Sequence, residues 1–200
     1  MRRVVILALL ALALPIAAWA DEIDLTNEYG TINASIHGIT SSNSLLMSYN
    51  SITAPHAGAL GRVNFGTGAF SGTSLDKDGT FSSAGSYFDI IGNGRLGTHK
   101  GWIFEGEFVG PITWTVTSAP GKDNLTFTLT GDIQGMLWTG QEVSGSTTQY
   151  LYSTGQQLDK DIGHIRMGAT KLTSPEPGTL GLLGTGLVGI AGICRRKKIV

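Results

Sequence analysis

The chain has 200 residues, a formal net charge of −1 and 41% hydrophobic residues. Basic residues concentrate near the two ends, so residues 21–174 are about six units negative, with eight Lys and Arg against fourteen Asp and Glu. No basic cluster remains there to neutralise phosphates, which excludes nucleic acid as a partner. The one cysteine, Cys194, excludes an intrachain disulfide and leaves the body without a thiol for catalysis or metal binding.

The N-terminal segment, residues 1–20, has the order of a secretory signal peptide. Two arginines precede an unbroken apolar run, and the small residues Ala18 and Ala20 flank Trp19 just before an acidic pair. Ala18 and Ala20 fit the cleft of signal peptidase, so we predict passage through the export channel and cleavage after Ala20. The alternative is an uncleaved anchor or a buried helix, which the shortness of the apolar run disfavours.

Residues 21–170 are predicted to form one all-β extracytoplasmic domain, because helical periodicity is scarce and apolar/polar alternation is common. The clearest element is a hairpin that pairs residues 111–117 with residues 125–130. Each run places apolar side chains on one face and threonines on the other, so Trp114 is expected to be buried. Pro111 predicts a bend before the hairpin.

Other short strands are predicted along the same domain. Because no helices are available for parallel crossovers, their spacing favours an antiparallel β-sandwich or jelly-roll-like domain. Residues 65–86 are rich in Gly, Ser and Thr and are expected to form an exposed, mobile connection. The further predicted strands are 45–52, 62–65, 86–91, 102–109, 133–138 and 148–152.

The C-terminal segment predicts a membrane anchor. A linker, residues 171–177, ends in prolines that cannot continue a helix, and an apolar, Gly-rich stretch follows at residues 178–194. As a transmembrane helix this stretch would span roughly 25 Å of a ~30 Å hydrocarbon core. Its glycines either let another helix pack closely or lower hydrophobicity so that the segment can be released. The cytoplasmic tail, residues 195–200, holds that end inside with the basic cluster Arg195, Arg196, Lys197 and Lys198.

The tripeptide Pro175, Glu176 and Pro177, the Gly-rich span and the terminal basic cluster together resemble the PEP-CTERM sorting signal of Gram-negative bacteria. The resemblance covers about the last 26 residues. It implies that an exosortase, an integral membrane enzyme, recognises the tripeptide and removes the tail. It also implies a transient inner-membrane anchor, a final place at the cell surface, outer membrane or extracellular matrix, and a link to exopolysaccharide.

Several short motifs match catalytic or binding patterns only in part. Residues 92–97 fit G-x-G-x-x-G, but a β-type run follows where dinucleotide binding needs a helix, so a hairpin turn is favoured. Residues 76–79 resemble the start of a calcium loop without its closing glutamate. Residues 74–77 read S-x-x-K without a helix or partner motifs. We therefore expect no catalytic residue, no metal site and no cofactor.

Two features leave other functions open. Glu105 and Glu107 lie on one strand face roughly 7 Å apart, a separation usable in glycoside hydrolysis, although alternation with phenylalanines indicates an outward, solvated pair. Trp138 is the candidate ligand surface, because an exposed indole can stack on a sugar ring. The sequence favours a noncatalytic surface or matrix protein. The alternative is a carbohydrate-binding module, and a secreted hydrolase is less favoured.

Overall fold

The computed structural model describes residues 22–55, 58–118, 125–153 and 163–174. Within these ranges the regular elements are strands and one short 3-10 turn at Arg95–Gly97. The strands are β1 Glu22–Glu28, β2 Thr31–Ser35, β3 Gly38–Ser42, β4 Ser44–Tyr49, β5 Ile52–Thr53, β6 Gly61–Gly66, β7 Phe70–Ser71, β8 Gly79–Phe81, β9 Tyr87–Asn93, β10 Lys100–Ser118, β11 Leu125–Leu137, β12 Glu142–Ser153 and β13 Gly163–Thr173.

Eight strands close one antiparallel, barrel-like sheet. The order around it is β1, β4, β6, β9, β10, β11, β12 and β13, and β13 pairs with β1 to complete the ring. The order follows the chain. The hairpin of β2 and β3 bridges β13 to β6, while β5 extends from β4, and β8 with β7 extends from β10. Closure removes the unpaired edges through which open sheets associate.

The all-β, antiparallel prediction is confirmed, but the sheet closes on itself where a two-sheet sandwich or jelly roll was expected. The reason is that β1 pairs with both β4 and β13, which joins what would otherwise be two edges. In this ladder Glu22, the first residue of β1, lies opposite Thr173, the last residue of β13. The predicted signal and transmembrane helices lie outside the described residues. Within the described ranges, no helix is long and apolar enough to cross a membrane.

The predicted threonine hairpin is confirmed by the register of β10 and β11. Trp114 pairs with Leu129 and is fully buried, and its ring stacks on Phe127 with centroids 4.8 Å apart. Pro111 lies where the β10–β11 ladder is interrupted, as expected for a residue outside a central ladder position, because the register shifts between Val109 and Thr113. The six further strand predictions fall on β4, β6, β9, β10, β11 and β12.

The expectation for residues 65–86 is wrong about exposure. This segment contains β7 and β8, and it buries Leu75 and Phe81. Phe81 meets Trp114 edge to face with centroids 5.6 Å apart, and Trp114 Nε1 donates a hydrogen bond to the Leu75 carbonyl at 2.8 Å. The buried side chains of Leu75 and Phe81 therefore hold this segment against the core, although its Gly, Ser and Thr content favoured an exposed loop.

The inner face of the sheet is filled mainly by aliphatic and aromatic side chains. One exception is a polar layer of Asn27, Ser44, Thr147, Gln149 and Thr170, all buried. Hydrogen bonds of 2.7 to 3.3 Å connect its members from β4 through β1 and β12 to β13. No buried side-chain polar atom of the described residues lacks a partner, so the layer is not destabilised by unmet hydrogen bonds.

Candidate ligand surface

Trp138 lies just beyond β11, at the start of the turn that leads to β12. Leu137 N donates to the Gln141 carbonyl at 2.9 Å, and Gly140 N donates to the Leu137 carbonyl at 2.8 Å. Gly140 takes a φ of 81°, a left-handed conformation that glycine adopts without strain. Trp138 N also donates to the Ile103 carbonyl of β10 at 3.0 Å. The backbone beneath Trp138 is therefore fixed, while the residue itself is 57% exposed.

His99 contacts Trp138 on this surface, and the backbone places Trp102 next to Ile103, whose carbonyl accepts a hydrogen bond from Trp138 N. The His99 ring stacks on the indole of Trp138, with centroids 4.4 Å apart and planes 5° apart. Trp102 itself is 49% exposed. We call His99, Trp102 and Trp138 the aromatic patch. One indole face is held by the imidazole, and the patch can offer flat apolar area to a ring-shaped ligand.

A second feature is a groove of about 520 Å³ beside the turn that follows β9. The sequence did not predict it. Leu45, Met47 and the backbone of Gly58 and Gly61 contribute to its lining. Its other lining residues include Tyr29, Arg62 and Arg95. We call it the arginine groove. No local motif marks it, because its residues come from four separate stretches of the chain.

The carboxylates considered for hydrolysis stand on the outer face of β10. Glu105 and Glu107 are exposed, as predicted, and Gln134 Nε2 donates to Glu107 Oε1 at 3.3 Å. Asp89 of β9 lies opposite Glu105. Burial, and secondly the negative charge of Glu105, raise the pKa of Asp89 to about 6. Such a carboxyl can exchange a proton near neutrality, but neither glutamate is among the residues that line the arginine groove.

The turn motifs have structural roles. Residues 92–97 form the connection between β9 and β10 with its 3-10 turn, which confirms the hairpin interpretation. Asp78 Oδ1 accepts a hydrogen bond from Val116 N of β10 at 2.7 Å, so the calcium-like sequence ties down a strand. Lys77 N donates to the Ser74 carbonyl at 3.1 Å in a turn outside any helix. No group of three or more His, Cys, Asp or Glu placed to hold a metal ion occurs in the described ranges.

The remaining predicted site residues lie outside the described residues. They are the signal peptidase positions Ala18 and Ala20, the sorting tripeptide Pro175, Glu176 and Pro177, and the basic cluster at 195–198.

Comparison with known proteins assigns the tail. The family model for the PEP-CTERM protein-sorting motif matches residues 175–197. No curated protein and no solved structure matches the chain. The chain therefore carries a PEP-CTERM sorting signal at its C-terminal end. The motif indicates export, membrane-associated sorting and processing by an exosortase, a membrane enzyme.

Proposed function

We propose that this protein is a noncatalytic component of the cell surface or extracellular matrix, delivered by removal of its sorting tail. The observation that carries the proposal is the match of the sorting motif at residues 175–197, joined to an outer domain with a filled, closed sheet. A filled interior favours a structural or adhesive duty performed by the outer surface. The exposed position of Glu105 and Glu107 outside the arginine groove argues against a hydrolase.

Intact mass and cell fractionation of the protein from its native host test the sorting step. In the wild-type host we expect an outer product that lacks residues 1–20 and the residues beyond about Pro177. In a host without the exosortase, the tail should remain and the protein should stay with the inner membrane. A tail that stays intact in both hosts would contradict the proposal.

A matched pair of variants separates the motif from general effects of charge. Glu176→Ala removes the central acid of the tripeptide and should block processing. Glu142→Ala removes an exposed acid on β12 and should be processed normally. Equal processing of both variants would show that the tripeptide is not what the enzyme recognises.

A second candidate function, carbohydrate binding directed to the host's exopolysaccharide, is favoured by the aromatic patch. Trp138 is exposed yet held by His99, so little conformational freedom is lost when a sugar ring stacks on it. Affinity electrophoresis of the processed protein in gels containing the host polysaccharide tests this. We expect Trp138→Ala to lose retardation and Tyr150→Ala, which removes an exposed aromatic of β12, to keep it. Equal retardation of both variants would argue against the patch.

A further inference from the structure

The arginine groove is a cationic place on an acidic domain. Arg62 and Arg95 both line it, and its lining contains no Asp or Glu. Within the described residues, neither guanidinium forms an ion pair with a carboxylate. Two such arginines in a body about six units negative retain their full capacity for charge-assisted, bidentate hydrogen bonds. The groove therefore offers its donors to a ligand from outside the chain.

Arg95 is held in place by hydrogen bonds that do not involve its guanidinium. Asn93 Oδ1 accepts from Arg95 N at 3.0 Å, and Asn93 Nδ2 donates to the Ala59 carbonyl at 2.7 Å, which ties the turn to the chain before β6. Thr98 Oγ1 donates to the Arg95 carbonyl at 2.7 Å. A Cβ added at Gly58 would stand 2.8 Å from Arg95 Nη1, so the guanidinium lies against this glycine. The backbone at this position is preorganised, which lowers the backbone entropy lost on binding.

Tyr29 forms part of the same lining and carries backbone strain. Its φ is 62°, a left-handed value that is unfavourable for a bulky side chain, and the residue is 60% exposed. Strained residues concentrate at functional sites. Tyr29 also lines a smaller groove of about 250 Å³ together with Tyr152 and His164. A flat aromatic ring thus stands where an extended ligand would pass from one groove to the next.

The register connects the arginine groove with the aromatic patch. Arg62 lies opposite Ile91 on β9, and Ile91 lies opposite Trp102 on β10. Their inward neighbours Val63 and Ile90 are buried, so this row faces outward. Because neighbouring strands lie about 4.8 Å apart, the Cα atoms of Arg62 and Trp102 are roughly 10 Å from each other. A chain of a few linked sugar rings can reach both.

We propose that the arginine groove binds the carboxylate or sulfate group of an acidic polysaccharide whose neighbouring sugar rings lie on the aromatic patch. The inference rests on the carbohydrate-binding function proposed above and adds the charge class of the ligand. Because the acidic body repels a polyanion at long range, the affinity must come from contact hydrogen bonds. Lysine, which lacks the planar fork of arginine, replaces such contacts poorly.

The test is affinity electrophoresis of the processed protein, purified from the host, in gels containing alginate, dextran sulfate or neutral dextran. We expect retardation by a polyanion, weakened about tenfold or more for each arginine removed in Arg62→Gln and Arg95→Gln. The double Arg→Lys variant should recover little of it. Arg166→Gln, which removes an exposed arginine of β13, should bind normally. Preference for alginate identifies a carboxylate, and preference for dextran sulfate identifies a sulfate.

Four outcomes would overturn the inference. Dextran could be bound as tightly as the polyanions, or Arg166→Gln could weaken binding as much as the groove variants. Trp138→Ala could abolish binding while Arg62→Gln and Arg95→Gln leave it unchanged. This result would contradict the proposal of an acidic ligand and leave the carbohydrate-binding proposal standing. Absence of binding to these polymers and to the host polysaccharide would sink both. Circular dichroism of each variant confirms that the fold is retained.

Discussion

Asn27 and Gln149 join their carboxamides across Gly168 in the middle of the sheet. Asn27 Nδ2 donates to Gln149 Oε1 at 2.9 Å, and Gln149 Nε2 donates to Asn27 Oδ1 at 3.3 Å. Gly168 is the register partner of both residues, in β13 between β1 and β12. The two amides therefore bridge three strands at the place where the last strand closes the ring. A buried polar contact of this kind specifies one pairing register, since a slipped strand would leave amides unpaired.

Replacing Asn27 with alanine should destabilise the domain strongly. The change removes the donor to Ser44 Oγ and to Gln149 Oε1, while Gln149 Nε2 keeps its hydrogen bond to Thr147 Oγ1. We expect the free energy of unfolding to fall by about 2–4 kcal/mol. Urea unfolding measures this loss. Asn33→Ala, at an exposed position of β2, is the matched control and should be close to neutral. A similar loss in both variants would contradict a special role for the buried amide.

Adding a methyl group at Gly168 should displace the same pair. The new Cβ would stand 2.1 Å from Gln149 Oε1 and 2.2 Å from Asn27 Oδ1, closer than any real contact. We expect Gly168→Ala to cost about 2–4 kcal/mol, because either the amides or the strand must move. Repeating the substitution in an Asn27→Ala, Gln149→Ala background is the control. There it should cost clearly less, and an unchanged cost would place the strain in the backbone.

Stability should fall as pH rises through the titration of Asp89. Its pKa is raised from 3.8 to about 6, first by burial and then by Glu105. The folded state therefore binds more protons than the unfolded state between those two values, so the free energy of unfolding decreases as pH rises through this window. Asp89→Asn should flatten this slope and stabilise the domain above pH 6 by on the order of 1 kcal/mol, a value reduced for solvent screening.

Thermal unfolding of Asp89→Asn between pH 4 and 8 checks this prediction. Asp132→Asn, which removes an exposed carboxylate on β11, is the control and should retain the wild-type slope. A slope that persists in Asp89→Asn would assign the pH dependence to another group.

Replacement by phenylalanine should destabilise the domain at Trp114 and leave its stability almost unchanged at Trp138. Trp114→Phe leaves a cavity and removes the hydrogen bond to the buried Leu75 carbonyl, so we expect a loss of about 2–3 kcal/mol. Trp138→Phe keeps an aromatic ring at an exposed position and should change stability by less than about 0.5 kcal/mol. Guanidinium unfolding compares them, and equal losses would contradict the assignment of Trp114 to the core and Trp138 to the surface.

Most of the correct predictions from the sequence rested on the alternation of apolar and polar residues along the strands. Ile112, Trp114 and Val116 alternate with threonines, so the hairpin and the burial of Trp114 followed from one short window. The closure of the ring did not, because it depends on pairs such as Leu25 with Thr170, far apart in the chain. Local patterns contain no information on which distant strands meet.

The first and last strands were missed for a specific reason. β1 and β13 bury Asn27 and Thr170 on the same face as leucines, so polar residues interrupt their apolar rhythm. For the candidate site, Trp138 could be singled out because it is followed by turn residues. Tyr29, Arg62 and Arg95 could not, because only the ring of strands brings them to one groove.

The position of Thr173 opposite Glu22 determines how the domain responds to tension. A force applied at the C-terminal end of the domain enters at the end of β13, and its component along that strand acts on the ladders beside it. β13 is hydrogen-bonded to β12 on one side and to β1 on the other, and these bonds lie across the direction of pull. Tension therefore loads both ladders in shear, in which many bonds must break together. A domain loaded at this end of β13 can therefore resist mechanical drag.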